Sequence, residues 1–119
     1  VLGDSRINLQ HYGGYKQPYM DINPLLVPGD KTLIIEEVLE VMSSMGLQVV
    51  YIGKEKGIIE AVDISFWYGF YDDFVVRVES LTSGMTSIDA RSASRVGKSD
   101  FGVNAERIRT FMELLEARL

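Results

Sequence analysis

The sequence predicts an α+β fold, a two-layer sandwich in which a four-stranded antiparallel sheet carries an N-terminal and a C-terminal helix on one face. Three observations predict it. Apolar residues recur with a helical period up to Gly46, with the two-residue period of strands from Leu47 to Ala93, and with the helical period again from about Asn104. The element order is then α-β-β-β-β-α, and both helices bury their apolar faces against one sheet.

An irregular arm, residues 1–29, precedes the body of the domain, residues 30–119. The arm contains Pro18, Pro24 and Pro28, all the prolines of the chain, together with several glycines, and both residue types interrupt helices and central strands. Its tyrosines and leucines are too apolar for a free tail. We therefore expect an extended arm that packs on a single domain, because 119 residues usually form one core.

The first helix is amphipathic. Asp30 or Thr32 can cap its N-terminus, and Gly46 ends it in the left-handed conformation that glycine accepts. Glutamates lie between the apolar positions, so one face of the helix is predicted to be exposed to solvent and the other to be buried. The apolar positions are Leu33, Val38, Val41, Met42 and Met45.

Four strands are predicted to follow, each bounded by turn residues. Residues 53–57, with a glycine at each end, form a hairpin loop between the first two strands. Residues 82–84 turn the third strand back into the fourth. The predicted strands are 48–52, 59 towards 66, 74–79 and 86–93. Strands joined by such short turns pair antiparallel.

The last helix is predicted to begin near Asn104 and to run to the end of the chain. Glutamates and arginines occupy the side of this helix opposite its apolar positions. Those apolar positions are Ile108, Phe111, Met112, Leu115 and Leu119.

Composition excludes several classes of function. A net charge of −5 argues against a general nucleic-acid binder, which presents an excess of basic residues. The chain has no cysteine, so disulfides, thiolate nucleophiles and cysteine-based zinc sites are excluded. His11 is the single histidine, and we expect it to have a surface or packing role. The sequence therefore predicts no metal site and no cofactor.

Two short patterns look catalytic, and we interpret both as structural. Asp72 and Asp73 are adjacent and point to opposite faces of a strand, so they do not converge on one metal. We expect them to form a turn or to start a strand, and the alternative is that one of the two holds an arginine from a neighbouring strand. Gly97-Lys98-Ser99 matches the end of a phosphate-binding loop, but Ser92 stands where the first glycine is required. We therefore expect that the protein is not an enzyme.

Residues 91–107 form the most unusual part of the chain. One interpretation is a structural clamp, in which glycines shape the crossover, a polar residue caps the last helix and arginines pair with acids. The other is an anion site, in which Arg95, Lys98 and the free N–H groups of the helix start face a phosphate or carboxylate. The candidate residues for this polar cluster or anion site are Arg91, Arg95, Lys98, Ser99, Asp100, Asn104 and Arg107.

The same stretch carries a family motif. Residues 91–108 meet every fixed position of the pattern R-S-x-S-R-x-G-x-S-D-x-G-x-N-x-x-R-I, which resembles the hallmark of domain-of-unknown-function family fourteen ninety-nine. Segments 19–25 and 68–73 are also similar to that family. The resemblance implies no established activity. It does imply a cell-envelope setting, because members are similar to bacterial envelope proteins, often behind a membrane-spanning or lipoprotein segment, and to some plastid proteins.

The expected function is a non-catalytic interaction or accessory domain in the periplasm or at a membrane, with a plastid lumen or membrane surface as the alternative setting. Its expected partner is a protein, such as a membrane protein or membrane complex. Membrane proximity would come from a segment outside this chain. The candidate partner surface is Trp67, Tyr68 and Phe70. The alternative function is binding of a small anionic ligand or a lipid head group, and an unrecognised hydrolase ranks last.

Overall fold

The computed structural model describes residues 23–65, 70–94 and 101–119, and within them it confirms the α+β class. Two helices accompany a five-stranded antiparallel sheet in the order β1-β5-β4-β3-β2. The elements are β1 Leu25–Pro28, α1 Lys31–Ser44, β2 Gln48–Gly53, β3 Ile58–Ser65, β4 Phe70–Ser80, β5 Met85–Ser94 and α2 Phe101–Arg118.

The prediction of four strands was wrong, because the end of the arm forms a fifth. β1 pairs antiparallel with β5, with Leu25 opposite Ile88 and Val27 opposite Thr86. Val27 is buried in the main core, and this burial stabilises the added strand. Proline cannot donate to a sheet ladder but is tolerated on an edge strand, and β1 lies at the edge. Residues 1–22 of the predicted arm lie outside the described residues.

Helix α1 begins and ends as predicted. The Asp30 carboxylate caps it by accepting hydrogen bonds from the backbone N–H groups of Thr32, at 3.1 Å, and Leu33, at 3.3 Å. Gly46 follows the helix with φ of 77°, the left-handed conformation expected of it. The prediction for Leu33 was wrong, since this side chain is 62% exposed. The adjacent Ile34 and Ile35 are buried instead.

The predicted hairpin between β2 and β3 is confirmed. Its last loop residue, Gly57, also contacts the backbone of β4. Gly57 has φ of 71°, and its carbonyl accepts a hydrogen bond of 2.7 Å from the Val78 N–H. A Cβ atom at this position would lie 1.9 Å from the Val78 carbonyl oxygen. Only glycine therefore fits where the loop meets the neighbouring strand.

The main core lies between the sheet and the two helices. Phe74 of β4 and Phe111 of α2 meet edge to face at its centre, with ring centroids 5.1 Å apart. Helix α2 begins at Phe101, three residues before the predicted start at Asn104. The opposite face of the sheet is only partly exposed to solvent, because Tyr51, Glu60 and Val75 are buried there. Neither helix in the described part of the chain is long and apolar enough to cross a membrane.

Candidate functional site

At one end of the sheet, the layer between sheet and helix α2 changes from apolar to polar. Alternation along the strands directs the side chains there towards α2. Asp63 lies directly opposite Asp72, which in turn lies opposite Ser94. Ser92 lies two residues before Ser94 on β5, and therefore on the same face. The polar cluster is formed by Asp63, Asp72, Ser92, Ser94, Asn104 and Arg107.

Arg107 is the centre of the polar cluster. Its Nη2 donates to Asp63 Oδ2 at 3.1 Å and to Asp72 Oδ2 at 3.0 Å. Its Nη1 donates to Ser92 Oγ at 2.9 Å and to Asn104 Oδ1 at 3.0 Å. Each Nη carries two hydrogens, so these four contacts use all the Nη hydrogens of the guanidinium. The side chain is 11% exposed, which strengthens these charge-assisted bonds.

Asn104 completes the cluster from the first turn of α2. It lies three residues before Arg107, and helical spacing places both side chains on neighbouring positions of one face. Asn104 Oδ1 accepts from Ser92 Oγ at 2.6 Å, and its Nδ2 donates to Ser94 Oγ at 3.3 Å. Asn104 and Ser92 are both buried. The amide and hydroxyl groups thus satisfy each other where water has little access.

The electrostatics of the cluster depend on the two aspartates. Like charges directly opposite each other on neighbouring strands destabilise a sheet, and the Arg107 guanidinium offsets this repulsion. Asp63 is 43% exposed and Asp72 is 21% exposed, so the carboxylates lie at the boundary with water. No group of three or more potential metal ligands occurs among the described residues. The arrangement fixes α2 to the sheet, as a structural clamp does.

The structure separates the predicted site residues. It brings Asn104 and Arg107 together in the polar cluster. It places Arg91 on the opposite face of the sheet, because Arg91 alternates with the helix-facing Ser92. Arg95, Lys98, Ser99 and Asp100 lie outside the described residues, as do Trp67, Tyr68 and the side chain of Phe70.

Sequence reasoning missed the acidic half of the cluster. The prediction was that one aspartate of the Asp72–Asp73 pair holds an arginine from a neighbouring strand. Asp72 instead contacts Arg107 of α2. Asp63 was not singled out. A signal for it exists, because Asp63 shares the parity of the buried residues Ile59 and Ala61 and so points towards the helices.

A groove adjoins the cluster, between the C-terminal end of α1 and the outer side of α2. Its volume is about 460 Å³. Val103 and Leu114 in its α2 wall are 48% and 41% exposed, so the groove has apolar side chains that are accessible to solvent. The lining residues of this helix groove are Ser44, Met45, Val103, Glu106, Arg107, Thr110 and Leu114.

The two helices that form the groove run antiparallel. Arg118, at the end of α2, contacts Glu37 in the first half of α1, with 2.5 Å between Nε and Oε1. Near the other end of α2, Val103 lines the groove together with Met45, which follows the end of α1. The ion pair and the polar cluster therefore hold α2 near both of its ends.

Comparison with known families identifies the chain. Residues 5–115 match the family described as Protein of unknown function (DUF1499). The chain belongs to this family. The resemblance carried by residues 91–108 is thereby confirmed. The match includes every residue of the polar cluster and of the helix groove, so both are features of a DUF1499 domain.

The other comparisons show only a similarity of fold between the DUF1499 domain and a solved structure. None of the curated proteins compared with it matches significantly. Among solved structures, it is similar to the adenylate sensor from AMP-activated protein kinase in complex with ZMP, with a TM-score of 0.64 and 14% identity. The likeness covers 80% of this chain and 96% of that chain.

Proposed function

We propose that this domain is a non-catalytic interaction domain, and that its helix groove binds a partner protein through a basic amphipathic helix. The observation that carries the proposal is a second stripe on α2, in which the exposed apolar residues Val103 and Leu114 lie on either side of Thr110. The first stripe, which includes Ile108, Phe111 and Leu115, is buried in the core. A surface helix of a globular domain normally needs only one such stripe.

The second stripe has the geometry of a helix-binding wall. Val103, Thr110 and Leu114 are separated by seven and four residues, so they lie along one line of the helix surface. Met45 faces them from the end of α1. Binding of an amphipathic helix in an apolar groove uses this kind of spaced anchor position. A volume of about 460 Å³ is in the range of typical binding clefts.

Charge indicates the chemistry of the partner. Glu106 lines the groove, and Glu113 lies seven residues later on the same exposed flank of α2. Glu40 lies one turn before Ser44 on the exposed side of α1. The whole chain carries a net charge of −5. Acidic flanks attract a basic helix and repel an anionic membrane surface, which favours a protein partner over direct lipid binding.

The polar cluster supports this function by keeping the α2 wall rigid. A preorganised wall loses less conformational entropy when a partner binds. Arg107 already uses its Nη hydrogens within the cluster, which favours the clamp interpretation for this residue over an anion site. The family resemblance supports an envelope or membrane-proximal setting, with a plastid as the alternative. Trp67, Tyr68 and Phe70 stay a separate prediction of a partner surface.

A labelled model peptide tests the groove. The probe is an amphipathic helix of leucines and lysines, and its control has the same composition in scrambled order. We expect the helical peptide alone to bind, and Leu114→Gln to weaken its Kd by about tenfold, as loss of an apolar anchor does. Leu26→Gln is the matched control, because Leu26 is 57% exposed on β1, outside the groove.

Fluorescence anisotropy at two salt concentrations gives both affinity and charge dependence. Glu106→Gln is expected to weaken binding and to reduce its sensitivity to salt, whereas Glu79→Gln, on β4, is expected to change neither. Equal binding of the scrambled peptide, or equal effects of Leu114→Gln and Leu26→Gln, would contradict the proposal. Preferential binding to anionic vesicles in place of the peptide would contradict it as well.

A further inference from the structure

The helix groove contains a hydroxyl group between its two apolar anchors. Thr110 lies on α2 between Val103 and Leu114, and all three residues line the groove. Thr110 is partly buried. Its hydroxyl takes part in no hydrogen bond with the rest of the described chain. This hydroxyl is therefore available to a ligand that enters the groove.

The other polar side chains that line the groove are already satisfied. The Ser44 hydroxyl donates to a backbone carbonyl of its own helix at 2.7 Å. Arg107 uses all its Nη hydrogens within the polar cluster. The Glu106 side chain is 71% exposed and stays in contact with water at the rim. Among the described groove residues, Thr110 is thus the polar position that lies within the apolar wall and has no partner there.

Binding of a helix in the groove changes the environment of Thr110. In the free domain, water can form a hydrogen bond with the hydroxyl. A helix that covers the groove excludes this water, and a hydroxyl that becomes buried without a new partner weakens association. An aliphatic side chain cannot replace the lost bond. An amide side chain can, because it both donates and accepts hydrogen bonds, as a hydroxyl does.

We propose that Thr110 determines the specificity of the helix groove, by a hydrogen bond to an asparagine or glutamine of the partner helix. The inference rests on the proposed function and names the residue type that the partner presents between its apolar anchors. A single polar pair within an apolar helix interface fixes the register of the two helices, because every shifted arrangement leaves a polar group without a partner. The contact therefore selects among basic amphipathic helices.

The spacing of the groove residues defines the sequence pattern of such a helix. Val103 lies seven residues before Thr110 and Leu114 lies four residues after it, which corresponds to about 10 Å and about 6 Å along α2. A helix that lies parallel to α2 then needs apolar residues seven positions before and four positions after its amide residue. A helix that lies antiparallel needs the reverse order. A slip of one turn would place the amide against Leu114.

Two pairs of lysine-rich helical peptides test this contact, one pair for each direction of the partner helix. Within a pair, the central residue is either asparagine or leucine. Fluorescence anisotropy gives the ratio of the two Kd values for the pair that binds more tightly. We expect the wild-type domain to prefer the asparagine peptide and Thr110→Val to prefer the leucine peptide. The ratio should change by about tenfold between the two domains, the usual effect of one hydrogen bond.

Matched variants separate recognition from folding. Thr110→Ser keeps the hydroxyl, and we expect it to keep the preference for the asparagine peptide. Thr32→Val is the control, because Thr32 is an exposed threonine at the start of α1, outside the groove. Thr110→Ala also removes the hydroxyl, and it serves if Thr110→Val lowers the melting temperature. The same ratio of Kd values in the wild-type, Thr110→Val and Thr110→Ala domains would overturn the inference.

The same measurements distinguish failure of this inference from failure of the helix groove. If Leu114→Gln weakens the binding of both peptides in a pair while Thr110→Val leaves their ratio unchanged, the groove binds a helix and the role of Thr110 is refuted. If no peptide of either pair binds to the wild-type domain, the helix groove and the role of Thr110 are both refuted. Inversion of the preference by Thr110→Val, with the wild-type preference kept by Thr110→Ser, supports both.

Discussion

Arg107 connects segments that are far apart in the chain. It contacts Asp63, which is 44 residues away, and Asp72, which is 35 residues away. A partly buried ion pair contributes little net stability when complete, but removal of one partner leaves uncompensated charge behind. Arg107 is thus more sensitive to substitution than the exposed arginines of the same helix.

Arg107→Met tests the clamp. Loss of the guanidinium leaves Asp63 facing Asp72, and we expect the free energy of unfolding to fall by about 2–3 kcal/mol, less than for a fully buried charge because Asp63 is 43% exposed. Arg109→Met is the control, since its ion pair with Glu106 is exposed at 3.9 Å and should contribute under about 0.5 kcal/mol. Urea denaturation measures both. Similar losses in the two variants would refute the clamp.

At the scale of elements, the ends of each helix and the hairpin determine how the layers meet. Asp30 caps α1, the polar cluster anchors the start of α2, and the ion pair with Glu37 anchors its end. The hairpin at Gly57 meets the backbone of β4 directly. Each junction leaves the outer side of α2 free, and the helix groove lies there.

Gly57→Ala is expected to be among the most destabilising alanine substitutions of a surface turn. Its Cβ would collide with the Val78 carbonyl, in addition to the backbone penalty of about 1–2 kcal/mol for a left-handed residue. Gly84→Ala is a matched control, because Gly84 has φ of 82° and open space around its Cβ position. Thermal unfolding should show a larger loss for Gly57→Ala, and equal losses would contradict the predicted clash.

At the scale of the whole molecule, the core between sheet and helices unites all the described elements. Its buried residues come from β1, β3, β4, β5, α1 and α2, together with Leu47 before β2. The helix groove and the outer face of the sheet therefore lie on opposite sides of the molecule. Because both rest on one core, changes in either surface need not alter the other.

Phe111→Ala tests whether the sheet and helix α2 unfold together as parts of one core. Phe111 is fully buried against Phe74, and its truncation should cost about 3–5 kcal/mol. Met112→Ala, at a partly buried neighbouring position, should cost less. Unfolding followed by circular dichroism and by tyrosine fluorescence should give one coincident transition. Two separate transitions would show that α2 and the sheet do not share one core.

Local patterns along the chain were sufficient to predict the α+β class, both helices and the hairpin, and to recognise the family motif. Hydrophobic periodicity and turn residues depend only on residues a few positions apart, so the sequence shows them directly. The same patterns identified Asn104 and Arg107 as parts of a polar cluster. They did not identify β1, because two prolines in and beside a short strand are compatible with either a loop or a sheet edge.

Contacts between distant segments depended on strand register, which no local pattern specifies. A shift of one residue exchanges the two faces of a strand, and it is the register that directs Ser92 to the clamp and Arg91 to the outer face. The pairing of Asp63 with Asp72, and of both with Arg107, follows from that register and from the packing of α2. Long-range packing also left the second stripe of α2 exposed, and with it the helix groove.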